Sequence, residues 1–493
     1  MAVAGLRITP KRLAALAAVV LLALAASAGI SAGTQDPQPL LKLDPTKEDY
    51  IKVAPGGRYF VHSDGRFFTP LGYNHNPDWG PFGQGAPGRR GYNPQATESY
   101  FRHLRDRGVN LIRMMLECPL GGKCLEDPIG TFSPEHTVWI DNLMTYARRY
   151  GVRLMITPWD TFWMNHRWDD NPYNSKLGGP VEKKLDFITK RQVIAAQKKR
   201  WRYILDRWGN TGAVFCWELL NEADYWWGAS PEQLSAWAKE MAAFVRGYEQ
   251  RKWGRTHLIS ISTGRPIPEG KWGDLAYRLP EMDFATTHLY LGAANAPEEP
   301  IQPALAIQRG VSFALAKIRD RRPYLDGENG PINKWIADGN LDNEVFHHMS
   351  WAHLASGGAG SGLRWPYRNP HQLSEGMLHA LSLMSRFAKA VPWGKLCQPA
   401  AALSIKAPEG WIACSTATKQ ASIIWLAAEK VSQPSDLRLA VSWPGAPGRV
   451  TYRVYDTRAG KWLPGGSAKS AKGELMISLT AVPSSVALVM QGS

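Results

Sequence analysis

Cysteine is scarce in this chain of 493 residues, which has five cysteines, no Cys-x-x-Cys pair and no histidine pair at a metal-binding spacing. This scarcity argues against a structural metal site, and we expect neither a metal nor a cofactor. No strand is followed by a glycine-rich phosphate loop, which disfavours a dinucleotide-binding sheet. The formal charge of +15 comes without a motif that reads nucleic acid. We therefore interpret the basic run 183–202 as a solvated helix face and expect no nucleic-acid partner.

Long hydrophobic runs are also missing, except at the start of the chain. There Arg7, Lys11 and Arg12 precede the apolar run LAALAAVVLLALA, and the small residues 26–28 follow it. This order is typical of a secretory signal peptide, with a membrane anchor as the alternative. We expect residues 1–28 to be removed, the protein to be secreted or periplasmic, and the mature chain to bind no membrane.

Export to an oxidising compartment would permit disulfides. Cys118 and Cys124 bracket the short segment CPLGGKC, while Cys397 and Cys414 flank the start of a second domain. We expect these four residues to form two disulfides and Cys216 to be a buried thiol, although the spacing alone leaves the connectivity open.

A repeating pattern of short apolar runs and amphipathic helical stretches fills most of the chain. Apolar runs of this kind are typical of parallel strands that are buried on both faces. Eight runs are present, namely RFFTPLGYN (66–74), VNLIRMMLE (109–117), VRLMITPWD (152–160), AVFCWELLNE (213–222), THLISISTG (256–264), MDFATTHLY (282–290), RPYLDGENG (322–330) and GAGSGLRWP (358–366). Eight strand–helix units predict an α/β fold of the (β/α)8 TIM-barrel type, rather than an open doubly wound sheet.

The pattern changes after about residue 394, where short alternating strands are separated by glycine and proline turns. This pattern predicts a C-terminal antiparallel β-sandwich. We divide the chain into a signal peptide (1–28), an N-terminal extension (29–54), a catalytic barrel (55–393) and the sandwich (394–493). Because no flexible linker precedes the sandwich, we expect it to pack firmly on the barrel in a monomeric protein.

Two glutamates stand at the predicted C-terminal strand ends, where a TIM barrel has its catalytic residues. Glu222 ends strand 4 and Glu328 ends strand 7. Glycoside hydrolysis requires such a pair, one as acid and one as nucleophile. We assign the acid to Glu222, because burial can raise its pKa, and expect Arg113 and Tyr290 to hold Glu328 ionised.

A further glutamate and several tryptophans lie near the same strand ends. Glu218 falls in the middle of strand 4, where a carboxylate needs a fixed partner, such as a buried Arg or Lys. Flat indole faces can stack on sugar rings, and we predict this role for Trp159, Trp226 and Trp227. Trp226 and Trp227 are adjacent in the sequence, so they cannot both face inward. Three other tryptophans also fall in loops on the predicted active rim, namely Trp163, Trp168 and Trp335.

The motifs at the strand ends resemble those of retaining glycoside hydrolases of clan A, most closely the cellulase- and mannanase-like enzymes of family 5. The resemblance covers about residues 55–392 through five segments in order, NLIRMM, WELLNEAD, THLY, LDGENG and LRWP. There are two departures from the family pattern. Ala223 follows the Asn-Glu pair where proline is usual, and ITPWDTFW lacks the histidine that many members have after strand 3.

The resemblance implies Glu222 as acid/base and Glu328 as nucleophile. It also implies roles in binding substrate or supporting the site, which are Asn221 as partner of the sugar 2-hydroxyl, Trp365 as a sugar platform, and Arg113, His288 and Tyr290 as polar supports.

We therefore predict a secreted retaining glycoside hydrolase that cleaves β-linked polysaccharides or oligosaccharides by double displacement. Two alternatives remain open at this point. One is a non-catalytic carbohydrate-binding protein on a TIM-barrel scaffold. The other is an enzyme that acts on acidic polysaccharides, such as a lyase, which the basic composition favours.

Overall fold

The computed structural model describes residues 43–86, 92–116, 125–318, 322–367, 371–397, 403–430 and 433–492. These residues belong to one compact unit. Within this part of the chain, no helix combines the length and hydropathy needed to cross a membrane. The expected signal peptide and the expected Cys118–Cys124 disulfide lie outside the described residues.

Three short antiparallel strands precede the barrel, namely β1 (Lys52–Val53), β2 (Phe60–Val61) and β3 (Phe67–Phe68). They place the ring of Phe60 against those of Phe215 and Phe284, with centroids 5.0 and 5.4 Å apart. The sequence predicts one strand over the run 66–74, but Pro70 divides it, because proline has no N–H to donate within a sheet. Only its last residues belong to the barrel.

The barrel strands are short and buried. They are β4 (Gly72–Asn74), β5 (Leu111–Met115), β6 (Arg153–Thr157), β7 (Val214–Glu218), β8 (Leu258–Ser260), β9 (Ser262–Thr263), β10 (Thr286–Thr287) and β11 (Leu363–Arg364). One parallel sheet has the order β11-β4-β5-β6-β7-β8, and β9, which directly continues β8, pairs in parallel with β10.

Isolated parallel bridges continue this pairing from β10 through residues 324–329 to β11. They are Ala285–Tyr324, His288–Glu328 and Asn329–Arg364. Parallel neighbours therefore follow one another around the barrel, which confirms the predicted (β/α)8 TIM-barrel fold.

Helices lie between the strands. They are α1 (Gly80–Gln84), α2 (Pro94–Asp106), α3 (Pro134–Tyr150), α4 (Thr161–His166), α5 (Asp186–Thr189), α6 (Arg191–Trp208), α7 (Pro231–Trp253), α8 (Gly270–Arg278), α9 (Ile301–Lys317), α10 (Gly339–Ala355), α11 (Glu375–Ala388) and α12 (Trp393–Leu396). Their ends follow local signals in the sequence. Ser230 and Gln233 form a capping box at the start of α7, and Gly254 ends it in the left-handed conformation.

The C-terminal strands form two antiparallel sheets. They are β12 (Ser404–Lys406), β13 (Trp411–Ala417), β14 (Ala421–Ala428), β15 (Ser435–Ser442), β16 (Arg449–Asp456), β17 (Lys461–Lys469), β18 (Glu474–Val482) and β19 (Ser485–Gly492). The sheet orders are β12-β15-β18 and β13-β14-β19-β16-β17. Leu439, Ile477 and Leu488 share one buried core between the sheets, so the C-terminal region is a β-sandwich, as predicted.

The sandwich packs on helices α10 and α11 of the barrel. The hydroxyl of Tyr455 donates to the carbonyl of Leu383 at 2.8 Å. Arg458 forms two hydrogen bonds of 2.6 Å with Glu344 on α10. Buried apolar side chains of β14, β16 and β19 belong to the same continuous core as those of the barrel.

The expected disulfide between Cys397 and Cys414 is wrong. Both residues are buried free thiols. Cys397 follows α12 in the barrel, whereas Cys414 lies in β13, paired across the sheet with Trp425. Burial raises the pKa of Cys397 to about 11 and that of Cys414 to about 12, so both remain protonated. Cys216 is a buried free thiol, as expected.

Candidate active site

A fully buried arginine joins the C-terminal ends of several barrel strands. Arg113 points inward from β5, and its Nε donates to Glu218 at 2.7 Å. Its Nη1 donates to Asn74 at 2.8 Å and to Glu328 at 2.6 Å, and its Nη2 donates to Asn221 at 2.6 Å. A planar, permanently charged guanidinium thus orients four side chains from three strands. Arg113 is also the partner that Glu218 was expected to need.

Glu328 has hydrogen-bond donors at both carboxylate oxygens. Arg113 donates to Oε1, and the hydroxyl of Tyr290 donates to Oε2 at 3.0 Å. His288 Nδ1 lies 3.5 Å from the same Oε2. Burial raises the pKa of Glu328 above its usual value, and the charges of protonated His288 and of Arg113 oppose that rise only in part. These contacts favour the ionised carboxylate.

The surroundings of Glu222 favour its protonated form more than those of Glu328 do. Its Oε1 lies 2.8 Å from Nδ1 of His288, a buried imidazole whose pKa burial lowers. Burial, followed by the negative charge of Asp224, raises the pKa of Glu222 to about 8, against the opposing charge of Arg113. At neutral pH, Glu222 is therefore the protonated member of the pair.

The backbone of Glu222 is held in a left-handed conformation, with φ 46° and ψ 49°. This conformation is uncommon for a residue other than glycine and needs support from its surroundings. The backbone N–H of Glu222 donates to Ser262 Oγ at 3.0 Å, and Thr161 Oγ1 donates to its carbonyl at 2.9 Å. Both contacts fix the direction of the side chain.

The two carboxyl groups are close together. One oxygen of Glu222, one oxygen of Glu328 and a ring nitrogen of His288 all lie within 4.8 Å of one another. Retaining glycosidases place their carboxyl groups ~5–5.5 Å apart, whereas inverting enzymes need ~6.5–9.5 Å for a water molecule. The same three groups could ligate a cation. A cation would, however, compete with the guanidinium of Arg113 for the carboxylate of Glu328.

The structure brings six of the predicted site residues into this network, namely Arg113, Asn221, Glu222, His288, Tyr290 and Glu328. Trp365 follows β11 at the same end of the barrel and is half-buried, with its ring edge-on to Trp79 at 5.0 Å between centroids.

Two of the predicted sugar-stacking tryptophans do not face a binding surface. Trp159 is fully buried and meets Trp201 edge to face, so its predicted role is wrong. Trp226 is also buried, and its indole N–H donates to the carbonyl of Lys184 at 3.0 Å, so this prediction is wrong too. Both rings fill the interior of the long loop after strand 3. Trp227 is 60% exposed, with Lys184 Nζ 4.1 Å from its ring centroid.

Two other exposed aromatic rings line a depression at this end of the barrel. Trp335 is 47% exposed and Tyr367 is 44% exposed, with their centroids 5.2 Å apart. They line a cavity of about 260 Å³, together with Arg364 and Pro366 on either side of Trp365. The cavity therefore lies between the loops that follow strands 7 and 8.

Three polar residues in the network were not predicted as site residues. Asn74 binds Arg113, Ser262 binds the backbone of Glu222, and Asp160 accepts a hydrogen bond of 2.6 Å from Asn221. Asn74 and Asp160 each end a predicted strand, so their position was a usable signal. Ser262 offered no such signal, because a small hydroxyl residue within an apolar run is common.

Comparison with known proteins gives three concordant findings. Residues 75–300 match the model of the family described as Cellulase (glycosyl hydrolase family 5). Mannan endo-1,4-beta-mannosidase A of Emericella nidulans is 29% identical over 161 residues, which cover 31% of this chain and 38% of that protein. Mannan endo-1,4-beta-mannosidase 7 of Arabidopsis thaliana is 24% identical over 261 residues, which cover 47% and 58% respectively. The chain thus spans about half the length of the curated relatives it matches.

Solved structures share the fold. A structure titled Glycoside hydrolase superposes with a TM-score of 0.59 and 14% identity, covering 92% of this chain and 99% of its own. A glycoside hydrolase family 5 structure from Bacteroides vulgatus gives a TM-score of 0.56 and 12% identity, with 91% and 94% coverage. The matched residues 75–300 are thus similar to glycosyl hydrolase family 5, the family whose motifs the sequence resembles.

Proposed function

We propose that the protein is a retaining glycoside hydrolase that cleaves β-linked glycans by double displacement. In this proposal Glu222 is the acid/base and Glu328 is the nucleophile. One observation carries it, which is that two buried carboxyl groups approach within 4.8 Å in unlike electrostatic surroundings. Donors from Arg113 and Tyr290 favour the ionised form of Glu328, while Glu222 has a pKa of about 8.

The first step forms a covalent glycosyl–enzyme. A carboxylate oxygen of Glu328 attacks the anomeric carbon as the glycosidic bond breaks, and Glu222 gives its proton to the departing oxygen. A pKa of about 8 means that Glu222 holds this proton at neutral pH. Ester formation removes the negative charge of Glu328, which lowers the pKa of Glu222.

The second step releases the sugar. Ionised Glu222 accepts a proton from water while the water oxygen attacks the anomeric carbon, and the bond to Glu328 breaks. Glu222 regains its proton and Glu328 regains its charge, so the site returns to its starting state. Two displacements at one carbon leave the anomeric configuration unchanged.

We propose a β-1,4-linked polysaccharide, with mannan the first to test, as the substrate. The names of the curated relatives support this choice, because both refer to mannan endo-1,4-beta-mannosidase. Exposed rings at this end of the barrel also suit a polymer, since Trp227, Trp335 and Tyr367 offer faces for successive sugar units.

The test is hydrolysis of a panel of β-linked polysaccharides, with β-1,4-mannan, cellulose and a uronic-acid polymer included. Glu328→Gln should lower the rate on the best substrate by well over about tenfold, because the nucleophile is lost. Glu344→Gln, which breaks the contact with Arg458 away from the site, should leave the rate almost unchanged. Anomeric NMR of the first products should show retention.

Other outcomes would replace the proposal. Binding without turnover would indicate a carbohydrate-binding protein, and an unsaturated product that absorbs in the ultraviolet would indicate a lyase. If Glu328→Gln kept more than about a tenth of the activity, the assignment of the nucleophile would be wrong.

We also propose that the protein is exported, as a secreted or periplasmic enzyme. The basic, apolar and small-residue order of residues 1–28 supports this location. N-terminal sequencing of the protein recovered outside the cytoplasm should begin after residue 28, whereas an intact leader on all recovered protein would contradict the proposal.

A further inference from the structure

Asp160 stands three residues beyond β6, beside the catalytic strand ends, and is almost completely buried. Its Oδ1 accepts hydrogen bonds from Asn221 Nδ2 at 2.6 Å and from the backbone N–H of Phe162 at 3.1 Å. Its Oδ2 accepts from the backbone N–H of Trp163 at 3.4 Å. One carboxylate therefore caps the N-terminus of α4 and also holds the side-chain amide of Asn221.

The partners of Asn221 permit only one orientation of its amide. A carboxylate can only accept hydrogen bonds and a guanidinium can only donate them. Nδ2 of Asn221 faces Asp160, while its Oδ1 accepts from Arg113 at 2.6 Å and from Ser262 Oγ at 3.3 Å. The opposite orientation would place two donors together at Arg113 and two acceptors together at Asp160.

The same loop is also bound to the acid/base residue. Asp160 and Asn221 form a parallel bridge, and the backbone N–H of Asn221 donates to the carbonyl of Trp159 at 3.0 Å. Thr161, the next residue, donates its hydroxyl to the carbonyl of Glu222 at 2.9 Å. A substitution of Asp160 should therefore alter the position of Asn221 directly and that of Glu222 through Thr161.

We propose that Asp160 is a positioning residue that fixes the amide of Asn221 so that Nδ2 can donate to the sugar 2-hydroxyl beside the reacting carbon. An amide nitrogen has two hydrogens, and Asp160 accepts only one of them, which leaves the second for a substrate oxygen. In this sequence Asp160 occupies the segment ITPWDTFW, which lacks the histidine found in many family members. The inference rests on the proposed glycosidase function.

The test compares two aryl glycosides that differ only in the 2-hydroxyl. Asp160→Ser keeps a side chain that can cap α4 but is too short to reach Asn221 at the same time. It should lower kcat/KM by about 10- to 100-fold for the glycoside with the 2-hydroxyl, because the amide of Asn221 is no longer oriented. The loss for the 2-deoxy glycoside should be less than about threefold.

Two further variants separate positioning from a general structural role. Asn221→Ala should show the same substrate-dependent loss, and the double variant with Asp160→Ser should be no worse than Asn221→Ala alone. Asp160→Asn should retain most of the wild-type activity, because its carbonyl oxygen can still accept a hydrogen bond from Asn221. Asp160→Thr, which also caps α4, replaces Asp160→Ser if that variant does not fold.

Equal losses on both glycosides, or additive losses in the double variant, would overturn the role of Asp160. A wild-type protein that cleaves neither glycoside nor any polysaccharide would instead overturn the proposed function, so the two failures are distinguishable.

Discussion

Glu222 and Glu328 are the same kind of side chain, and their neighbours make them chemically different. Arg113 and Tyr290 donate to Glu328, whereas burial and the charge of Asp224 act on Glu222. Sequence position could identify the pair, because both residues lie at the C-terminal ends of predicted strands. The difference between them depends on side chains that are distant in sequence and meet only in the fold.

The pH dependence of the reaction should report the acid. Because the proposed acid, Glu222, must hold its proton, kcat/KM should fall above about pH 8, in line with its pKa of about 8. Asp224 raises that pKa through its charge and accepts backbone hydrogen bonds from Gly264 and Arg265. Asp224→Asn should lower the pKa of Glu222 and move the basic limb of the profile to lower pH.

A matched substitution controls for this effect. Asp169→Asn removes an exposed charge that is paired with Lys176, so the basic limb should not move. An unchanged limb in Asp224→Asn would show that Asp224 does not set the pKa of the acid.

Removing Arg113 should destabilise the fold as well as abolish activity. Arg113→Ala leaves Glu218 and Glu328 buried without their cationic partner, which should cost about 3–5 kcal/mol of the free energy of unfolding at neutral pH. Burial opposes ionisation of Glu218, but the charge and hydrogen bonds of Arg113 outweigh it and lower its pKa. This contribution is present above the pKa of an unfolded glutamate and is lost as the pH falls through the folded value.

Urea unfolding of wild type and Arg113→Ala at several pH values measures this contribution. The difference between the two proteins should shrink as the pH falls, because protonated carboxyls no longer need a cation. A difference that is independent of pH would point to lost packing rather than to lost charge compensation.

At the scale of elements, the strand ends were predictable and the loop interiors were not. Apolar runs place Arg113, Asn221 and Glu328 correctly, because strand period and barrel geometry decide which residues reach the rim. The same reasoning wrongly predicted exposed positions for Trp159 and Trp226, because the long loop after strand 3 has its own aromatic interior. A loop that carries short helices needs apolar side chains to cover them, and the sequence does not mark which tryptophan does so.

The loops after strands 7 and 8 should contribute to binding of long substrates. Trp335→Ala removes one of the two exposed rings that line the cavity beside Trp365. We expect KM for the polysaccharide to rise by about 3- to 10-fold, since a stacked aromatic ring is worth about 0.5–1.5 kcal/mol, with kcat nearly unchanged. A short aryl glycoside should show little effect.

Trp411→Ala provides the control, because this half-buried ring lies in β13 of the sandwich. It should change neither KM nor kcat for the polysaccharide. If Trp335→Ala impaired the short and long substrates equally, the ring would support the catalytic centre rather than a separate sugar unit.

At the scale of the whole molecule, the sandwich and the barrel share a buried interface that the absence of a flexible linker had suggested. Tyr455 on β16 is fully buried between Phe387 and Trp462, with centroids 5.4 and 5.0 Å away, and its hydroxyl bonds the carbonyl of Leu383. The sequence could indicate close packing but not its partners, because β-strand alternation does not reveal which outer face meets a helix.

Tyr455→Ala should therefore destabilise both regions together. Loss of a buried aromatic side chain should cost about 3–5 kcal/mol and lower the melting temperature. Tyr452→Ala, three residues earlier in the same strand, removes a half-buried ring whose hydroxyl bonds Ser478 within the sandwich, and it should have a much smaller effect.

The measurement is thermal unfolding followed by circular dichroism and by residual hydrolysis. Coincident midpoints for the two signals are expected in each variant, because the apolar core is continuous across the interface. If the sandwich unfolded at a lower temperature than the temperature at which hydrolysis is lost, the barrel would not depend on the sandwich.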